Sequence, residues 1–182
     1  MPRLQDRVEY RIEVLDSSHQ RDQFRCGLRE LDEYLRRRAG QDAGRRVAVP
    51  YVLVDEAGVI WGFYTLSQLA VRLADLPQDV VNRLPRYPRV PATLLGRLGV
   101  DMRLQGEGLG QLLLLDALRR SYAASLEVAS FAVVTEAKDE RSADFYVAHG
   151  FCPLPTRDRT FFLPMATIAR LFAGGPTWAG RG

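Results

Sequence analysis

The stretch that decides the reading is Gln105-Gly106-Glu107-Gly108-Leu109-Gly110. It separates a strand-like run, Leu94 to Val100, from a leucine-rich helical stretch running from Leu109 to about Arg120. Glycine weakens helix and strand alike, so three glycines at alternate positions are not there for packing. They let the backbone turn tightly and aim successive N–H groups at one point, in front of the positive end of a helix. Such a turn is built to receive phosphate oxygens, and its alternative is a plain glycine-rich joint between strand and helix.

Spacing narrows the ligand. A dinucleotide fingerprint requires G-x-G-x-x-G, but after Gly106 and Gly108 the third position falls on Gln111. A P-loop requires a lysine after its last glycine, and the only lysine of the chain is Lys138. The pattern that fits is Q/R-x-x-G-x-G/A, met by Gln105, Gly108 and Gly110. In this loop the chain resembles the GCN5-related N-acetyltransferases (GNAT), where it holds the pyrophosphate of acetyl-CoA.

Composition agrees with one catalytic domain spanning residues 1–182, with residues 174–182 expected as a frayed, glycine-rich tail. At 182 residues and 47% hydrophobic, the chain can bury a core without disulfides or metals. Cys26 and Cys152 show neither metal nor disulfide spacing. No signal-peptide hydrophobic region opens the chain and no apolar run is long enough to span a membrane, so a cytoplasmic location is expected. Of the 25 basic residues, all but Lys138 are arginine. One group is Arg36, Arg37, Arg38, Arg45 and Arg46; another is Arg83, Arg86 and Arg89, with Tyr87 inside it. Charge runs are usually solvated faces, and a GC-rich genome also favours arginine. Arginine groups with an aromatic among them equally suit nucleic acid.

The apolar pattern alternates strands and helices. It gives a strand over Tyr10 to Leu15, a short helix capped by Asp16, Ser17 and Ser18, and a helix from Leu28 to Gln41. Val47 to Asp55 and Val59 to Ala70 form a hairpin about Glu56-Ala57-Gly58. Ala74 to Ala92, with four prolines, holds a short helix and a loop. After the glycine loop and its helix come a strand near Phe131 to Thr135 and a helix from Glu140 to His149 stopped by Gly150. Closing strands follow at Phe151 to Leu154 and Thr160 to Pro164. This order matches the acetyltransferase fold: an α/β (α+β) chain with a mixed, mostly antiparallel sheet of six to seven strands, splayed at the acetyl-CoA site.

The resemblance assigns roles position by position. Leu98, Gly99 and Val100 offer backbone groups to the pantetheine, and the amides of Gln105, Gly106, Glu107, Gly108, Leu109 and Gly110 hold the pyrophosphate. Acetyl-CoA is the co-substrate, and no metal is implied. In Ala143-Asp144-Phe145-Tyr146, followed by His149-Gly150-Phe151, Tyr146 occupies the place of the family's general acid. A thiolate expelled from a thioester leaves more readily with a proton, which a phenol supplies. The alternative is a core tyrosine with its hydroxyl satisfied locally. His149 reads as a helix cap. Leu94 to Val100 carries no carboxylate to serve as base, and Asp101 reads as shaping the loop. A lysine amine, with a pKa of about 10.4, needs a base; an α-amine, at about 7.7 to 8.0, is partly neutral already. A baseless site therefore favours an α-amine substrate.

Further motifs resemble the toxin branch of the family, which acetylates aminoacyl-tRNA and blocks translation. They are Phe24-Arg25-Cys26-Gly27 leading into Leu31-Asp32-Glu33-Tyr34-Leu35, Gly62-Phe63-Tyr64-Thr65-Leu66-Ser67, Leu95-Gly96-Arg97-Leu98-Gly99-Val100-Asp101, and the frame of Tyr146. This resemblance implies aminoacyl-tRNA as substrate, a ribbon-helix-helix antitoxin as partner, a possible homodimer and no membrane. Arg36, Arg37, Arg45, Arg46, Arg83, Arg86 and Arg89 become candidate tRNA contacts. Arg97, inside an apolar strand, needs a fixed partner: a substrate or cofactor group, or a carboxylate such as Asp101. Two other functions stay open: an acetyltransferase for small, peptide or protein amines, and an acetyl-CoA-binding module without catalysis.

Overall fold

The computed structural model describes residues 8–173, so the tail expected to fray lies outside the described residues. The elements run β1 (Arg11–Val14), α1 (Arg29–Arg37), α2 (Ala39–Gly44), β2 (Val49–Val54) and β3 (Ile60–Arg72). Then come α3 (Gln78–Val81), β4 (Arg89–Val100), α4 (Leu109–Ser125), β5 (Ala132–Glu136) and α5 (Glu140–Ala148). β6 (Cys152–Pro153), β7 (Thr160–Pro164) and α6 (Met165–Ala173) close the chain. The strands form one seven-stranded sheet in the order β1-β2-β3-β4-β5-β7-β6. Residues divide into two compact units, Met1–Ser67 with Leu95–Ala117, and Gln68–Leu94 with Leu118–Gly182. β3, β4 and α4 each contribute to both.

In the first unit, β1, β2 and the start of β3 form an antiparallel meander. Its second turn works because Gly58 takes φ +77° and Asp55 Oδ1 accepts from the N–H groups of Ala57 and Val59. Leu31, Tyr34 and Leu35 of α1 recur at helical spacing and bury against Phe24, Val52, Ile60 and Phe63. Gly62 is required by close approach: a Cβ there would lie 2.8 Å from Leu113 Cδ1 and 3.2 Å from the Gly99 carbonyl oxygen.

The loop ends of this unit converge on Asp101, which is fully buried. Its carboxylate takes a bidentate bond from Arg103 (Nε 2.8 Å, Nη2 2.9 Å) and accepts the N–H groups of Arg103 (3.0 Å) and Arg25 (3.1 Å). Its own N–H donates to the Trp61 carbonyl (2.8 Å), and Arg103 lies over the Trp61 ring (4.4 Å). Burial by itself would raise this carboxyl; the Arg103 side chain and the two backbone N–H donors outweigh burial and hold it below the usual range.

In the second unit β7 pairs antiparallel with β5 and with β6. Val71, Val90, Ala92, Val134, Leu154 and Phe162 belong to its core. α5 opens with a capping box between Asp139 and Ser142 and closes where Gly150 takes φ +89°.

Several boundaries depart from the sequence expectation. No helix follows Asp16; its carboxylate instead accepts from Ser18 and the segment stays a turn. The helix expected over Leu28 to Gln41 breaks at Arg38 (φ −114°) into α1 and α2, the second carrying Gly40 and Gly44. β4 begins at Arg89, five residues before Leu94, and passes through Pro91. Proline has no N–H to give, but its carbonyl accepts from Phe131 (2.9 Å). α4 runs on from Arg120 to Ser125, and α6 follows β7 without a turn.

Replacing Asp101 with alanine is expected to cost about 3 kcal/mol of unfolding free energy, because two N–H donors and a guanidinium lose a buried acceptor. Since the folded carboxyl is held below its ordinary 3.8, its stabilisation is present above that pH and lost as pH falls through the depressed folded value. Urea unfolding of both proteins at neutral and acid pH checks both expectations, the gap narrowing only below about pH 4.

Candidate active site

The glycine loop has the conformation its spacing requires. Gly106 and Gly108 take φ of +84° and +83°, and a Cβ on either would meet no atom within 4 Å. The requirement is therefore backbone conformation rather than space. Gln105 anchors the start: its side-chain amide donates to the carbonyls of Cys26 (2.8 Å) and Val100 (2.9 Å). Residues 105–108 are exposed, and Leu109 and Gly110 open α4, where first-turn N–H groups have no carbonyl inside the helix. On β4, Gly99 is buried against Cys26 and Phe63, Leu98 is half-buried, and the Val100 carbonyl is already taken by Gln105.

Arg97 has a partner, and it is not Asp101, which belongs to Arg103. The Arg97 guanidinium lies over the Tyr34 ring, 3.6 Å from its centroid. Tyr34 in turn donates its hydroxyl to Asp42 (2.9 Å), and burial followed by that bond pushes its phenol up to about 12. This leaves the half-buried guanidinium fixed in place without a carboxylate among the described residues.

Tyr146, in the second unit, is 5% exposed and packs against Phe145 and Phe151. Burial raises its pKa; a hydrogen bond with Thr135 of β5 opposes that shift without cancelling it. The phenol therefore stays protonated at neutral pH, as a proton donor must. His149 is a cap, its ring bonded through Nδ1 to the Phe145 carbonyl (2.7 Å).

The arginine groups differ in availability. Arg83, Arg86 and Arg89 are exposed, and their side chains have neither hydrogen bond nor ion pair among the described residues. Arg37, Arg38, Arg45 and Arg46 are also exposed. Arg36 is turned inward: it approaches Asp32 (3.9 Å) and the Phe24 carbonyl (3.5 Å), and its Nε is buried without a partner. It is a weak candidate for solvent-side contacts.

Both cysteines are free, Cys26 buried and Cys152 exposed. Burial foremost pushes the Cys26 thiol up to about 12. Among the described residues no group of His, Cys, Asp or Glu could hold a metal, and no helix is long and apolar enough to cross a membrane. Sequence reasoning missed one part-buried pair on the loop helix: Tyr64 of β3 donates to Asp116 of α4 (2.6 Å). An aspartate in the run Leu112 to Leu118 was the available signal.

Residues 12–151 match the family described as Acetyltransferase (GNAT) family. The chain is 31% identical to "Probable toxin TacT" of Sinorhizobium fredii, covering 88% of this chain and 93% of that protein. It is 36% identical to "tRNA-acetylating toxin" of Mycobacterium tuberculosis, covering 73% of this chain and 78% of that protein. Among solved structures, AtaT complexed with acetyl-methionyl-tRNAfMet superposes with a TM-score of 0.85 at 29% identity, covering 90% of this chain and 99% of that one. A tyrosine-to-phenylalanine mutant of KacT gives a TM-score of 0.85 at 28% identity, again covering 90% and 99%. The glycine loop, the buried phenol and the family match agree, and this chain belongs to the GNAT acetyltransferases.

Proposed function

We propose that this protein transfers the acetyl group of acetyl-CoA to the α-amine of aminoacyl-tRNA, acting as a toxin that stops translation. The observation that carries this reading is the likeness, over nine-tenths of the chain, to AtaT complexed with acetyl-methionyl-tRNAfMet. The 36% identity to a tRNA-acetylating toxin supports the same substrate. A tyrosine-to-phenylalanine mutant of AtaT has also been solved with acetyl-CoA and the C-terminus of the antitoxin AtaR, and KacTA with DNA. By that likeness an antitoxin partner is part of the reading, and the whole chain acts as one domain. A substrate of this kind places the reaction in the cytoplasm.

The chemistry follows from the residues. The N–H groups from Gln105 to Gly110 hold the pyrophosphate against the N-terminus of α4, and Leu98, Gly99 and the N–H of Val100 line up the pantetheine arm. The neutral α-amine attacks the thioester carbonyl, and the nitrogen, cationic in the tetrahedral intermediate, loses a proton to solvent. The C–S bond breaks as the intermediate collapses, the Tyr146 phenol gives its proton to the departing sulfur, and the phenolate regains a proton from solvent. No internal base is needed, because an esterified amino acid carries an amine of low pKa. Asp101 is unsuited to that task, since its carboxylate is occupied by Arg103 and Arg25. Exposed Arg83, Arg86 and Arg89, with Arg37, Arg45 and Arg46, meet tRNA phosphates, and Arg97, oriented by Tyr34, meets an anionic group of the substrate or cofactor.

Labelled acetyl-CoA incubated with bulk charged tRNA is expected to label the charged tRNA and neither deacylated tRNA nor free amino acids. Label on small amines or proteins instead would reject the substrate. Tyr146→Phe is expected to lower kcat on the order of 10²- to 10⁴-fold while leaving acetyl-CoA affinity unchanged. Because burial raises this phenol, the wild-type rate should hold through neutral pH and fall only above about pH 10. Gly108→Ala forces a side chain into a left-handed conformation costing about 1–2 kcal/mol, and isothermal titration should show acetyl-CoA binding weakened roughly tenfold. Reversing Arg83, Arg86 and Arg89 to glutamate should raise KM for charged tRNA and flatten its salt dependence, sparing acetyl-CoA binding. Equal loss of both affinities would sink the phosphate-contact role.

A further inference from the structure

The segment between β3 and β4 lines a half-open cleft of about 700 Å³. Leu73, Val81 and Leu84 give it apolar walls, while Asn82, Arg86 and Tyr87 give it polar and aromatic ones. Its size lies within the roughly 300–1,000 Å³ of small-ligand clefts. Tyr87 is 64% exposed, so the ring has most of its surface in solvent. Pro85 and Pro88 stiffen the backbone around it, the Tyr87 N–H closes a tight turn on the Pro85 carbonyl (2.8 Å), and the Leu73 N–H donates to the Pro88 carbonyl (3.1 Å). One wall is locked: Arg72 grips buried Asp75 through two bonds (2.8 and 3.1 Å), and the Thr156 hydroxyl donates to the same carboxylate (2.7 Å).

Charge indicates what such a cavity receives. Arg83, Arg86 and Arg89 fall within seven residues, are all exposed, and have no anionic partner among the described residues. The nearby acid that packs here, Asp75, is neutralised by Arg72, and exposed Asp79 does not line the cavity. A presented ring, flanked on both sides by cations and set over an apolar hollow, is the arrangement that stacks an unpaired base while its neighbouring phosphates are neutralised. An acidic peptide would use the cations but has no need of an exposed aromatic ring beside a hollow of this size.

We propose that this cavity receives an unpaired nucleobase of the RNA substrate, stacked on Tyr87, with Arg83, Arg86 and Arg89 on the flanking phosphates. The assignment rests on the tRNA reading above and adds that single-stranded nucleotides, rather than duplex alone, are bound. Tyr87 is a binding residue with no part in acetyl transfer itself.

The test measures fluorescence anisotropy of a labelled short single-stranded RNA, and of the same sequence as a duplex, against wild type, Tyr87→Ala and Tyr87→Phe. Thermal melts confirm that both variants fold, as expected for so exposed a position. Tyr87→Ala should weaken single-strand binding about 5- to 100-fold and duplex binding little, while Tyr87→Phe, which keeps the ring, stays close to wild type. Wild type that ignores single-stranded RNA, Tyr87→Ala that binds it normally, or Tyr87→Phe that loses as much as alanine would each overturn the proposal. Acetylation of charged tRNA by wild type is scored separately. If it fails while Tyr87-dependent RNA binding persists, the substrate reading falls and the base cavity stands.

Discussion

A single buried carboxylate organises the half of the molecule that carries the glycine loop. Asp101 directly follows β4, and four donors from two stretches of chain converge on it: the Arg25 N–H from before α1, and the backbone and guanidinium of Arg103. Its own N–H reaches back to Trp61 on β3. Removing this anion from water is costly, and only its full set of donors makes the burial tolerable. The arrangement fixes where β4 stops and where the next residues begin. Gln105 then repeats the tie four residues later by bonding the carbonyls of Cys26 and Val100. The exposed N–H groups beyond it therefore start from a rigid root, which is what preorganised anion binding requires.

The polar side chains divide between holding and meeting. Arg103 and Arg72 grip buried aspartates, and Arg36 lies inward near Asp32. Arg97 is held by an aromatic face instead of a carboxylate, which fixes its direction and leaves its charge unspent. Arg83, Arg86 and Arg89 are exposed and unpaired among the described residues. The same residue type thus builds walls and presents charge, and burial with pairing tells the two apart. Tyrosine divides similarly: Tyr34 and Tyr146 are buried with partners, whereas Tyr87 is displayed.

What sequence revealed was local. The glycine loop is readable because its chemistry lies within six consecutive residues, and the positive φ of Gly106 and Gly108 is what their spacing implied. The hairpin about Gly58 and the α5 stop at Gly150 were readable for the same reason. What escaped depends on distant partners. The bond from Arg25 to Asp101 spans 76 positions, and that from Tyr64 to Asp116 spans 52. Arg97 could be seen to need a partner, but nothing nearby in sequence pointed to Tyr34. Pro91 argues against a strand before Leu94, yet β4 passes through it, with its carbonyl accepting from the Phe131 N–H. α6 was hidden because Met165 begins a helix directly where Pro164 ends a strand.

The scarcity of lysine has a chemical consequence for a protein that handles an activated acyl group. An ammonium side chain is in equilibrium with a nucleophilic amine, so a lysine near a thioester can be consumed by it and lose its charge. Guanidinium keeps its proton at any physiological pH and is a poor nucleophile. A cationic face made from Arg83, Arg86 and Arg89 resists self-modification and keeps its charge through many turnovers. Lys138, just after β5, is the one side-chain amine in the chain.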